Sequence, residues 1–134
     1  MIMPRFLHSC SFFTFNDERI LAVVGGYGLG GSNLNFSEFL SYDSANSFWD
    51  NRNTELDLPG PVHDLRGQLL VSNGETLFYI NTVENVFFRL EWTNFVDGFQ
   101  WIPMDVTLET PRVFAVGVLI PDELTDCNKT AINT

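Results

Sequence analysis

Positive charge is scarce in this sequence: seven Lys and Arg stand against 17 Asp and Glu, leaving a net charge of -10 over 134 residues. A chain with that balance repels phosphate, so neither nucleic acid nor an anionic membrane surface is expected as a partner. Long apolar runs are missing too. Gly, Asp, Glu or Asn interrupts every hydrophobic stretch short of the ~18 residues a spanning helix requires, so a soluble chain without membrane insertion is expected. The opening residues, Met1 to Cys10, include Arg5, but the apolar run behind it lacks a small-residue cleavage site and no signal peptide is assigned. Two cysteines, Cys10 and Cys127, are too few for a disulfide scaffold and lack metal-ligand spacing. Both are expected to be buried free thiols, bridged only if the fold brings them together.

What the sequence does have is apolar material: 45% hydrophobic residues and 13 Phe, enough for one domain that buries roughly two-thirds of its unfolded surface. The apolar positions alternate over short spans between turn signals, the pattern of many short strands rather than helices. Strands are predicted at Phe6 to Phe15 and Arg19 to Val24, joined by Asn16-Asp17-Glu18, then at Glu38 to Tyr42 and Phe48-Trp49. The glycine-rich stretch from Tyr27 to Asn35 reads as loop. A second set follows at Gln68 to Val71, Thr76 to Ile80, Val86 to Trp92 and Phe99 to Ile102, with Asn73-Gly74 as its hairpin turn. Pro111 to Ile120 reads as the first strand of a third set.

These sets repeat. Trp49 and Trp101 lie 52 residues apart, and Pro61 and Pro111 lie 50 apart. Pro4-Arg5-Phe6-Leu7-His8, the diglycine Gly25-Gly26, and Tyr42-Asp43 followed by Trp49 together resemble one repeat of the kelch family, whose period is about 50 residues. The second set is a degenerate copy: it keeps Arg66 and Trp101, but has Ile80-Asn81-Thr82 at the diglycine position and Asn94-Phe95 at the Tyr-Asp position. The resemblance implies an all-β, partial kelch-like β-propeller of two four-stranded antiparallel blades plus the first strand of a third. Blade 1 would span about 4–54, blade 2 about 55–108 and the start of blade 3 about 109–134. Blades are apolar on both faces and propellers use about four to eight of them. Two and a half repeats therefore imply a piece of a longer propeller, or self-association through unpaired blade faces.

Chemical motifs are few. Gly26-Tyr27-Gly28-Leu29-Gly30-Gly31 fits a dinucleotide-binding pattern, but that reading needs a helix opening at the third glycine, and Ser32 to Glu38 has no amphipathic helical pattern. His8 and His63 are the only histidines and no Cys/His/Asp/Glu group has metal spacing. No nucleophile elbow or Cys/His pair occurs. No catalytic residue, metal or cofactor is assigned, and the copper roles known in galactose oxidase, a propeller of the same family, are carried to none of Tyr27, Tyr42 and Tyr79. Asn35-Phe36-Ser37 and Asn128-Lys129-Thr130 are formal glycosylation sequons, which leave an extracellular parent protein open.

The functional expectation is therefore a non-catalytic protein-binding or scaffold module, a piece of a longer propeller. The family resemblance points to the loops Tyr27 to Phe36, Asp50 to Pro61, Asn81 to Asn85 and Pro103 to Thr110. Within them Tyr27, Leu29, Asn33, Asn35, Asn51 and Arg52 offer an aromatic ring, an apolar tip, amides and a guanidinium. The alternative is a piece of an oxidase or carbohydrate-active propeller whose catalytic residues lie outside this chain.

Overall fold

The computed structural model describes residues 4–41, 56–60, 63–94, 98–113 and 115–117. They are almost all β, with one 3-10 turn at Leu65–Gly67 and no α-helix among the described residues. Strands β2 (Ser9–Phe15) and β3 (Glu18–Val24) form a hairpin in which Phe15 pairs with Glu18. Only two residues make the turn, Asn16 and Asp17, with φ of 50° and 63°. A two-residue turn with both φ positive matches the strand twist, and Asn and Asp tolerate that conformation because their short polar side chains bond locally. Strand β5 (Phe36–Ser41) pairs with β3, and β6 (Leu56–Asp57) with β5, giving an antiparallel sheet of order β2-β3-β5-β6.

The second sheet is a meander of β7 (Gln68–Ser72), β8 (Leu77–Asn81), β9 (Val86–Asn94) and β10 (Gly98–Pro103), in that order. Its first turn rests on Asn73, whose Oδ1 accepts from the backbone N–H of Glu75 and of Thr76 at 3.0 and 2.7 Å. At its last turn a bulge follows Gly98, which has φ of 67°. Two further short strands, β1 (Arg5–Phe6) and β4 (Tyr27–Gly28), pair as a separate antiparallel ribbon.

The two sheets stack with corresponding strands together, β2 against β7 and β6 against β10. Register explains the core between them. Phe13, opposite Ile20, and Phe39, opposite Ala22, point inward, while Phe12, one residue out of phase, stays 53% exposed on the far face. Facing them are Leu77, Tyr79, Phe88, Leu90, Phe99 and Trp101. The Phe99 ring lies 4.9 to 5.9 Å from those of Phe13, Phe15, Phe39 and Trp92. Such ring pairs add about 0.5–1.5 kcal/mol each beyond their burial. Trp101 closes the gap: its Nε1 donates to Ser37 Oγ at 3.0 Å, and that hydroxyl donates to the Leu56 carbonyl at 3.0 Å. Two more polar ties cross the stack, Ser9 Oγ to the Gln68 carbonyl at 3.2 Å and Thr14 N to the Gly74 carbonyl at 2.6 Å.

Two predicted elements differ, and a third falls outside the described residues. The strand expected over Phe6 to Phe15 breaks into β1 and β2 because Leu7 has φ of 55°. The expected fourth strand, Phe48-Trp49, lies outside the described residues, and the place beside β5 belongs to Leu56–Asp57. That pairing continues into the loop, where Leu58 is buried and its N–H donates to the Asn35 carbonyl at 2.7 Å. Of the strand expected over Pro111 to Ile120, the described residues 111–113 and 115–117 are not extended in a sheet. They do continue the stack, since a Cβ on Gly117 would stand 2.7 Å from Val71 and 2.8 Å from Leu69 on β7.

Candidate functional site

Three of the four loops singled out in the sequence meet at one end of the stacked sheets. Asn33, in the β3–β5 loop, donates from Nδ2 to the His63 carbonyl at 3.2 Å. The His63 N–H donates to Glu84 Oε1 at 2.8 Å, and Asn81 Nδ2 donates to Glu84 Oε2 at 2.7 Å, which brings in the β8–β9 turn. Asn85 then clasps the segment after β10, accepting from Leu108 N at 2.7 Å and donating to its carbonyl at 3.2 Å. The turns at Asn16-Asp17 and Asn73-Gly74 lie at the opposite end. Loops at one end of a rigid β scaffold can vary without disturbing the core, which is why binding surfaces are built there.

The β3–β5 loop is shaped from beneath by Arg5. Its guanidinium donates to the Gly25 carbonyl at 2.7 Å and to Glu38 Oε2 at 2.6 Å, and its carbon sits 4.6 Å from the centre of the Phe36 ring. Both charged side chains are buried. The diglycine lets the chain come this close. Gly25 and Gly26 have φ of 64° and 99°, and a Cβ on Gly26 would stand 2.9 Å from the Phe6 carbonyl oxygen. Beyond them the loop folds back on itself: Leu34 N donates to the Gly26 carbonyl at 2.8 Å and Gly31 N to the Gly28 carbonyl at 3.0 Å.

Of the predicted site residues, Tyr27 lies in β4 with its ring 5.2 Å from Phe6, and Leu29 stands 81% exposed at the loop tip. Asn33 and Asn35 are half-buried, and each helps hold the loop, Asn33 through His63 and Asn35 through Leu58. Asn51 and Arg52 lie outside the described residues. Sequence reasoning missed Phe6 and Leu7, which it placed inside a strand; they are 50% and 63% exposed at this same end. A positive φ on Leu costs of order 1–3 kcal/mol and persists only where neighbours enforce it. Here Gln68 Nε2 donates to the Leu7 carbonyl. A Phe-Leu pair following a buried Arg carries no turn residue, so nothing local marked the kink.

In the second sheet the corresponding junction is built on an amide and a hydroxyl instead of a buried ion pair. Asn81, fully buried, accepts at Oδ1 from Val83 N and Glu84 N, both at 3.1 Å, and donates from Nδ2 to the Asp64 carbonyl at 3.0 Å. Thr82 donates from N and Oγ1 to the Gly67 carbonyl at 2.8 and 3.1 Å. Arg66 turns outward instead, onto Asp64, with Nε to Oδ1 at 3.0 Å and a terminal nitrogen to Oδ2 at 2.6 Å. That hydrogen bond, helped by the Arg66 backbone N–H, holds the Asp64 carboxyl down to about 2.

Other chemical candidates resolve into structural roles. The glycines from Gly26 to Gly31 open no helix, and the chain passes directly into β5. Ser37 of the first sequon is fully buried under Trp101. Burial pushes the Tyr79 hydroxyl above its ordinary range, fixing it as a neutral phenol in the core. Among the described residues no three His, Cys, Asp or Glu side chains converge as metal ligands. No helix among them is long and apolar enough to cross a membrane. Cys10, expected to be buried, is exposed, because its position in β2 puts it on the far face with Phe12; Cys127 lies outside the described residues. Comparison of the chain with protein-family models, with curated proteins and with solved structures finds no match.

Proposed function

We propose that the chain is a non-catalytic protein-binding or scaffold module, a piece of a kelch-like propeller that meets a protein partner through the loop end described above. The observation that supports this most is the cross-tied loop end, where Asn33, His63 and Glu84 join two sheets and Asn85 holds the segment that follows. A prearranged loop surface binds without first losing the freedom of its loops, which favours affinity. The stacking of like strands, and the placement of residues 115–117 against β7, are what a piece of a longer blade array would display. On this reading the far face of the first sheet, with Cys10 and Phe12, is where another sheet packs.

The test is site-specific photo-cross-linking on the full chain. A photoreactive side chain replacing Leu29 or Asp105, at the loop end, should capture the same protein, and one replacing Asp17, at the opposite end, should not. Capture from Asp17 alone, or from none of the three positions, would refute the proposal.

A further inference from the structure

The β1–β4 ribbon has two dissimilar faces. Phe6 pairs with Tyr27 and Arg5 with Gly28, so by strand alternation Arg5 and Gly28 share one face and Phe6 and Tyr27 the other. The Arg5 face is buried, with Arg5 on Glu38 and Gly28 against Leu34. The Phe6 face is turned to solvent, and the ribbon strands put no polar side-chain group on it except the Tyr27 hydroxyl: among the described residues Pro4 is exposed, Phe6 is 50% exposed, and Leu29 follows at the tip. A solvent-facing strand surface is ordinarily polar, so an apolar one marks a contact surface.

Leu7 adds an independent observation. Its backbone is held at φ 55° by the bond from Gln68, yet its side chain gains no burial from that conformation and remains 63% exposed. Strain that persists without burial points to what the side chain meets outside the chain. The surroundings define the chemistry of that partner. Asp57, Glu84, Asp105 and Glu109 stand at this end, and Glu84 receives its hydrogen bonds from neutral donors. Against them, among the described residues, are Arg112, Arg66, already paired with Asp64, and Arg5, buried on Glu38, in a chain of net charge -10.

We infer that the outward face of the β1–β4 ribbon, with Leu7 and Leu29 at its margins, is a recognition surface for a peptide segment that carries a large apolar side chain flanked by Lys or Arg. The apolar residue packs on Phe6, Tyr27 and Leu29, and its basic flanks face the acidic loop end. Electrostatic attraction raises the association rate and discriminates against acidic partners more than it adds affinity. This inference rests on the proposed role of the loop end in protein binding, and it narrows that role to one patch and one class of segment.

The experiment is fluorescence polarisation of the full chain against a peptide set in which a central Leu, Phe or Trp is flanked by Lys, by Glu or by Ser. Lys-flanked peptides should bind, at least tenfold tighter than Glu-flanked ones, with the preference shrinking as salt rises. Leu29→Asp should lower that affinity tenfold or more and leave thermal unfolding unchanged. Phe12→Ser, on the far face of the first sheet, should leave binding unchanged. Binding weaker than about 1 mM by every Lys-flanked peptide, or equal binding of Glu-flanked ones, overturns the inference, as does an equal loss with Phe12→Ser. Light scattering that shows a dimer abolished by Leu29→Asp, or flotation of the chain with phosphatidylcholine vesicles, would assign the patch to a second copy or a lipid surface and overturn it too. Cross-linking from Asp105 keeps the two proposals apart: if it still captures a protein while the peptides fail, only the ribbon assignment falls.

Discussion

The two sheets tie their loop ends in different ways. In the first, a guanidinium and a carboxylate are buried together: Arg5 and Glu38 meet at 2.6 Å, beneath a loop that the diglycine admits into close contact. In the second, the same junction is held by the amide of Asn81 and the hydroxyl of Thr82, and Arg66, at the position corresponding to Arg5, faces solvent. The contrast follows from what each junction must hold. Between Val24 and Phe36 the first sheet carries a long loop, and Arg5 reaches Gly25 at its start and Glu38 just past its end. The β8–β9 connection is only four residues, short enough for one amide to satisfy it. A buried ion pair is needed where distant backbone must be gathered, and a neutral amide suffices where it is local.

The largest effect should come from breaking the charged junction. Arg5→Met takes the guanidinium away from the buried Glu38 carboxylate, and removal of one partner of a buried pair costs about 3–5 kcal/mol. The double variant Arg5→Met/Glu38→Met should recover most of that loss, because two apolar side chains remove the stranded charge along with the pair. Urea unfolding midpoints decide the matter. A double variant as unstable as the single would mean that the bonds from Arg5 to the loop carbonyls, rather than the ion pair, hold the first sheet together.

Asn81→Ala is the matching change in the second sheet and should cost about 2 kcal/mol, since it leaves two half-buried N–H donors and a carbonyl unsatisfied and takes one hydrogen bond from the half-buried Glu84 carboxylate, without stripping a fully buried charge of its ion pair. The same unfolding experiment compares the two junctions directly. Amide exchange at Val83 and Glu84 should accelerate in this variant while exchange in the β3–β5 loop stays unchanged. An effect equal to that of Arg5→Met would remove the energetic distinction drawn between the sheets.

Much of this architecture was legible in the residues. Alternation marked Arg19 to Val24 and Phe99 to Ile102 as strands, and Asn16-Asp17-Glu18 and Asn73-Gly74 as turns, and the structure has strands and turns there. Turn chemistry is local and hydrophobic period is strict, so both can be read without knowing the partner strand. Three of the loops chosen for binding lie at one end, although only their tertiary ties show how: Asn33 reaches His63, and no sequence pattern links those two positions. What escaped was decided at a distance. The kink at Leu7 depends on Gln68, far along the chain, and the edge strand Leu56–Asp57 is too short for its pairing to register as a pattern. Leu7 is the instructive case because Asn16, Asp17 and Asn85, the other described non-glycine residues with positive φ, are all small and polar.

That difference can be tested with a small substitution. Leu7→Gly removes a left-handed penalty of about 1–2 kcal/mol and adds about 0.5–1 kcal/mol of unfolded-state entropy. A net gain of about 0.5 kcal/mol is expected, read as a modest rise in the unfolding midpoint. Gly at Asn16 should bring no comparable gain, since Asn already accepts the conformation. A clear loss of stability on Leu7→Gly would show that the Leu7 side chain packs usefully within the folded chain, and would weaken its reading as a contact residue.

The smallest effect concerns Asp64 and Arg66, the exposed counterpart of the buried pair. Asp64 titrates at about 2 in the folded chain, against about 3.9 for an unperturbed Asp. A depressed carboxyl contributes stability that is complete above the unfolded value and is lost as pH falls through the folded one, so its contribution fades between about pH 4 and pH 2. Because the pair is in solvent, salt should screen it and its share of acid unfolding should be minor. Carboxyl NMR titration of Arg66→Gln separates its causes. The side-chain hydrogen bond from Arg66 is the principal one and the backbone N–H of residue 66 the second, so the variant should titrate clearly higher yet stay below an unperturbed Asp. A titration unchanged from the parent would assign the depression to the backbone cap alone, and Arg66 would then contribute nothing to its own sheet that Arg5 contributes to the other.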